Sequence, residues 1–311
     1  MTDSALIITH GDVDGMVCAA QLIRRERGNC EVVFSNARWI ARKLDAVLCS
    51  QETPRRVYVT DIPVDAQAAT FVVQLTGAGT EVYWVDHHPW ADGLVAQVQA
   101  ICTRLVYNEA MSTPAGILLG HWLGEEDPYC RQIASICYAY ETGTAWQRDW
   151  FRLLSSCIGK AGRPMLDRLA FDQPFTEEDL QAIQRQADAE RAAETMLSAK
   201  TLVFRTATGK ALAVYDTSDK PGVFLGRKVF EHHEVDYCLV RISGRKWQVA
   251  ARPDVDLPLE KLMGSHDLEG MRISIAGRPK RLLSIEVSAP ATVPPDAHER
   301  IIDFVARTRF E

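Results

Sequence analysis

The stretch Ile7-Ile8-Thr9-His10-Gly11-Asp12-Val13-Asp14-Gly15-Met16 sets one histidine and two aspartates directly after a run of β-prone residues. Ala5 to Thr9 reads as a short buried strand, and if the extended path continues, residues 10, 12 and 14 point to one side. One imidazole and two carboxylates then converge. Carboxylates packed together without a positive partner resist ionisation, at a cost of several kcal/mol. A divalent metal ion is the simplest such partner. Gly15 permits a tight turn, and Met16 to Arg27 carries Val17, Ala20 and Ile23 at helical spacing. The cluster therefore sits beside a helix N-terminus, where anions are favoured. Taken singly, each residue has an ordinary reading, Asp14 as a helix N-cap and His10 as a hydrogen-bonded turn residue.

Working outward, strands alternate with helices. Cys30 to Phe34, Arg56 to Asp61 and Glu81 to His88 read as strands, with helices over 37–50 and 66–75 between them. This alternation predicts an α/β domain with a doubly wound parallel sheet. Ligands of such sheets bind at the carboxyl ends of the strands. His10/Asp12/Asp14, Asp61 and Asp86/His87/His88 all fall there. From 111 to 168 the pattern turns helical, with Ser112-Thr113-Pro114 as a start signal for a helix over 115–123 and others over 131–140 and 147–157. Phe175 and Thr176 open a helix to about Lys200, roughly 35 Å long, which suits a connector. Beyond it, strands are expected over 211–215, 236–242, 247–252 and 272–275, and helices over 222–232 and 296–309. The expected domains are 1–175, a helical linker 176–208, and a smaller α/β domain 209–311.

The 311 residues are 47% hydrophobic and 24% charged, as in ordinary globular proteins. No apolar run reaches the roughly 18 residues of a membrane span, and the N-terminus lacks a secretory pattern, so a cytoplasmic protein without membrane partners is expected. Eight cysteines without a C-x-x-C pair indicate neither a zinc ribbon nor a disulfide framework. The net charge of −6 argues against a surface that coats long nucleic acid. Locally, Arg241 to Arg281 carries nine Lys/Arg against five Asp/Glu, an excess suited to an anionic substrate.

On these residues the chain resembles the DHH phosphoesterase superfamily. Thr9 to Gly15, Val59-Thr60-Asp61 and Val85-Asp86-His87-His88-Pro89 are similar to its first three motifs, in order. The C-terminal part resembles more loosely the DHH-associated domain of nanoRNases and RecJ-type exonucleases. Val249 to Leu257, with Arg252, is similar to its phosphate-binding strand, and Lys261 to His266, with Gly264, to its glycine-rich loop. The ordinary reading makes His266 a turn residue and Arg252 a surface charge.

The resemblance implies two divalent ions, Mn²⁺ foremost with Mg²⁺ or Co²⁺ as alternatives, which mixed imidazole and carboxylate donors suit. His10, Asp12 and Asp61 would hold one, and Asp14, Asp61 and His87 the other, with Asp61 bridging. Asp86 and His88 would be the catalytic pair, Asp86 orienting and His88 facing the phosphate. Arg252, Gly264 and His266 would bind substrate. Where the family has a further aspartate this chain offers Glu141, with Asp149 and Asp127 as substitutes. The implied activity is hydrolysis of short oligonucleotides or linear dinucleotides to mononucleotides. Alternatives are a RecJ-like single-strand exonuclease, a pyrophosphatase and a catalytically degenerate scaffold, and a homodimer is allowed.

Overall fold

The computed structural model describes residues 2–108, 113–139, 143–206, 209–216, 226–252, 259–278, 282–289 and 292–308. The chain divides into two compact units, Met1–Ile183 and Gln184–Glu311. The division falls within the long helix expected as a connector.

The first unit is built on five parallel strands, β1 (Thr2–His10), β2 (Cys30–Ser35), β3 (Pro54–Thr60), β4 (Glu81–Asp86) and β5 (Arg104–Tyr107), in the order β2-β1-β3-β4-β5. Alternate side chains leave opposite faces of the sheet. Ile7, Tyr58 and Val85 enter one core with helix α1 (Val13–Arg25), α5 (Ala115–Leu123), α6 (Pro128–Ala134), α7 (Ala145–Ser156) and α8 (Arg163–Ala170). Ile8, Val57, Val59, Val82 and Trp84 enter the other, under α2 (Ile40–Leu48), α3 (Ala66–Gly77) and α4 (Leu94–Ile101). Both faces are covered, which is why these strands read as continuous apolar runs. The strand order reverses at β1, whose neighbours are β2 and β3. Such a switch point opens a crevice at the strands' carboxyl ends.

The helix expected over 131–140 is two pieces, α6 and a 3-10 turn at Ser135–Tyr138. The long helix α9 spans Glu177–Lys200. The second unit carries a mixed seven-stranded sheet in the order β10-β11-β12-β9-β8-β7-β6. Its strands are β6 (Leu202–Arg205), β7 (Ala211–Asp216), β8 (Tyr237–Ser243), β9 (Lys246–Ala251), β10 (Gly264–Leu268), β11 (Met271–Arg278) and β12 (Leu282–Ala289). Among the described residues of this sheet only β7 and β8 pair in parallel, joined across α10 (Gly226–His232), and α11 (Ala297–Arg307) buries Ile301 and Val305 in the core. Among the described residues, no helix is long and apolar enough to cross a membrane.

Candidate metal centre

β1 ends at His10, and Asp12 caps α1, its carboxylate accepting the Gly15 N–H at 3.1 Å. Asp14 therefore lies in the first turn of α1, not on the extended path expected from the sequence. Gly15 is inside the helix as well, and its need for hydrogen in place of Cβ is one of space. A methyl group there would sit 2.1 Å from the His10 carbonyl oxygen. This close approach is locked by buried hydroxyls: Thr9 donates to the Gly15 carbonyl at 2.9 Å, and Thr60 donates to Thr9 Oγ1 at 2.8 Å. The helix N-terminus is thereby fixed to the ends of β1 and β3.

Asp61 follows the last residue of β3 with φ +57°, a left-handed conformation that aspartate tolerates better than most residues. Its N–H donates to the Val85 carbonyl at 2.9 Å, which seats it beside the end of β4. His87 Nε2 lies 3.1 Å from Asp61 Oδ1 and 3.6 Å from Asp14 Oδ2. On the other side, His10 Nδ1 is 3.0 Å from Asp12 Oδ2 and 3.8 Å from Asp61 Oδ2. Among the described residues two groups of donor atoms result, His10/Asp12/Asp61 and Asp61/His87/His88, each with its atoms within 4.8 Å of one another. Asp61 belongs to both.

The electrostatics call for a cation. Burial, then the charges of Asp14, Asp12 and Asp86, push the Asp61 carboxyl well above its ordinary range. Desolvation also opposes ionisation of Asp12, but the hydrogen bond and charge of His10 and the Gly15 N–H outweigh it and hold that carboxyl low. A buried acid that is destabilised when ionised, at the meeting point of two imidazole and carboxylate groups, fits divalent ions of the manganese type.

Asp14 has a second task that sequence reasoning missed. Its Oδ2 accepts the Ala115 N–H at 2.9 Å and its Oδ1 the Gly116 N–H at 2.7 Å. The carboxylate thus caps α5 from about a hundred positions away in sequence, and no local signal reveals this. Gly116 is needed because a Cβ would lie 2.7 Å from Val17 and 3.1 Å from Asp14 Oδ1. Each carboxylate oxygen carries two lone pairs, so holding the helix leaves Asp14 capacity for a cation.

Asp86 is fully buried and stands behind His88, a member of the second donor group. Its Oδ1 holds His88 Nδ1 at 2.8 Å, while its Oδ2 accepts the Trp90 indole N–H at 2.6 Å. This fixes the His88 ring and directs Nε2 away from Asp86. Trp90 was missed in the sequence, where nothing distinguishes it from a core aromatic. Trp90→Phe is expected to lower turnover about ten-fold while metal content stays normal, since partners that orient a functional side chain contribute roughly 10–100-fold. Metal analysis beside steady-state kinetics checks this, and a variant with wild-type turnover would contradict it.

Other expected residues lie elsewhere. Glu141 is outside the described residues. Asp127 caps α6 and pairs with Arg24, and Asp149 pairs with Arg152 at 3.6 Å; neither joins a donor group. In the second unit the expected glycine-rich loop is instead a 3-10 turn, Leu259–Leu262, followed by β10. Gly264 opens that strand with φ +111°, and His266 Nε2 bonds the Leu262 carbonyl at 2.9 Å while its ring lies against Phe304. Arg252 follows β9, its N–H donating to the Asp236 carbonyl at 2.9 Å. Of the basic stretch, Arg241 is paired with Asp216 at 3.2 Å and Arg245 with the Val287 carbonyl at 3.0 Å.

No family model matches the sequence, and no curated protein matches it significantly. Solved structures do. A member of the s1p family of ribosomal proteins with a DHH domain superposes with TM-score 0.62 at 11% identity, over 97% of this chain and 85% of its own. Exonuclease RecJ bound to manganese gives 0.53 at 14% identity, over 99% of this chain and 91% of its own. RecJ from Thermus thermophilus in complex with Mn²⁺ gives 0.54 at 13%, over 99% of this chain but 52% of its own. At 11–14% identity these likenesses show the fold, and the chain has the fold shared by DHH-domain proteins and RecJ.

Proposed function

We propose that this protein is a metal-dependent phosphodiesterase acting on short oligonucleotides or linear dinucleotides. The observation that supports this most is the pair of donor groups sharing buried Asp61 at the switch point of the sheet. In this reading His10, Asp12 and Asp61 hold one divalent ion, and Asp61 and His87, joined by Asp14, hold the other. Such ions lower the pKa of water and neutralise phosphate charge. Asp61 sets their common position, and Asp86, braced by Trp90, turns His88 toward the phosphate. No side chain need act as nucleophile. The net charge of −6 offers no extended basic track for a long strand.

Substrate length is the test. Binding should saturate at roughly two to five nucleotides, with a shallow dependence of log K on log salt, since each phosphate neutralised on a single strand contributes only about −0.7 to the slope. The measurement is kcat/KM for 5′-labelled oligomers from two to about twenty nucleotides at two salt concentrations with Mn²⁺. Long oligomers winning by about ten-fold with a steep salt slope would replace this reading with a strand exonuclease.

We assign Arg252 and His266 to substrate binding in this proposal. Arg252→Ala and His266→Ala are expected to raise KM about ten-fold or more, the loss of a charge-assisted contact, and to leave metal content normal. An unchanged KM in both would remove the second unit from substrate binding.

A further inference from the structure

A pocket of about 680 Å³ opens beside His10, lined by Phe34, Ser35, Asn36, Trp39, Arg42 and Lys43, with Gly11 and Gly159 also in its wall. The Gly159 N–H donates to the Gly11 carbonyl at 2.8 Å, which ties this part of the wall to the loop bearing Asp12. The volume lies in the range that holds a small organic ligand, about 300–1,000 Å³.

Its wall has an unusual composition. Trp39 is 42% exposed, whereas Trp84, Trp90, Trp122, Trp150 and Trp247 are buried. Local hydrogen bonds fix it there: the Asn36 carbonyl accepts the Trp39 N–H at 3.0 Å, and the Asn36 side chain accepts the Arg38 N–H at 3.0 Å. Arg38 and Arg42 lie over the indole at 5.1 and 5.8 Å from its centre. Ser35 Oγ, also in the wall, is buried and has no hydrogen-bond partner among the described residues. An indole flanked by the guanidinium groups of Arg38 and Arg42, in a lining that also holds Lys43, has the chemistry of a platform for a base joined to phosphate. Inorganic pyrophosphate would have no use for the ring.

We propose that this pocket is a nucleoside subsite, in which Trp39 stacks the base next to the scissile phosphate and Arg42 and Lys43 hold the neighbouring phosphate. This rests on the phosphodiesterase reading for the meaning of the adjacent metal centre, and it makes the substrate a nucleotide ester. His10 is both a donor of that centre and part of the pocket lining, so one ligand can reach both.

The test is calorimetric titration of the full chain in Mn²⁺ buffer with two probes, 5′-AMP and ribose 5-phosphate, which differ by the base alone. Wild type is expected to bind AMP about ten-fold more tightly, within the range provided by base stacking on an aromatic ring. Trp39→Ala should collapse that ratio toward one, Trp39→Phe should keep most of it, and the double variant Arg42→Glu, Lys43→Glu should weaken both probes. Equal affinities in wild type, or a ratio that survives Trp39→Ala, would overturn the subsite. Hydrolysis of labelled pApA by wild type separates the two claims. Turnover without discrimination between the probes leaves the diesterase and removes the subsite, while discrimination without turnover does the reverse.

Discussion

Asp61→Asn is expected to lose both metal ions and to lower turnover by more than a hundred-fold, beyond the roughly 10–100-fold that orienting partners contribute. Asparagine tolerates the left-handed backbone at this position, so the change removes charge and leaves shape. Asp12→Ala, which touches one donor group, should cost less. Without metal the substitution should act in the opposite direction on stability. The carboxyl of Asp61 is raised in the folded protein by burial and by its acidic neighbours, so the folded state holds this proton more tightly than the unfolded one. Its contribution to stability therefore declines as pH rises above the ordinary aspartate value of about 3.9. Asp12 contributes with the other sign, its depressed carboxyl stabilising above that value and losing this as pH falls. Comparing wild type with Asp61→Asn isolates the first effect. In chelator the variant should melt higher than wild type at pH 7.5, with a gap that narrows toward pH 4. Adding Mn²⁺ should raise the melting temperature of wild type alone. Two ions per chain in the variant, by metal analysis, would refute the bridging role.

Gly15→Ala should be the most damaging substitution outside the donor residues. The added methyl would meet the backbone oxygen of His10 at 2.1 Å, and neither β1 nor α1 can yield, because Thr9 and Thr60 tie them together. The expected loss is about 3 kcal/mol or more, the upper end for overpacked cores. In a unit of this size that lowers the melting temperature by about 6–12 °C. Metal binding should weaken with it, since His10, Asp12 and Asp14 flank the displaced segment. Thermal melts with and without Mn²⁺ check this, and a variant with wild-type melting and metal content would show that the junction yields after all.

The strands that carry the site were legible because their carboxyl halves, Ala5 to Ile8 in β1, Val57 to Val59 in β3 and Val82 to Val85 in β4, are apolar runs followed by acids or histidines. Asp61, His87 and His10 came together as their positions implied. What the sequence concealed was non-local. Asp14 caps a helix whose residues lie far along the chain, and Trp90 acts through Asp86, so neither role leaves a local pattern. Among the strands, β5 has one exposed and three half-buried residues at a sheet edge, and β10 is polar and held by its pairing with β11. By contrast, β12 alternates buried Leu283, Ile285 and Val287 with Ser284 and Glu286, a period-two signal that the expected strands leave out. The error over 264–266 had a different cause. A left-handed glycine reads as part of a loop, and here Gly264 opens a strand instead.

A metal-dependent diesterase centred on Asp61 is tested most directly by a single time course. Protein stripped with EDTA and dialysed is mixed with 5′-labelled pApA, and Mn²⁺ is added midway. No product is expected before the addition, and conversion to AMP is expected after it. Full turnover in the stripped protein, or none after Mn²⁺, would contradict the metal-dependent diesterase.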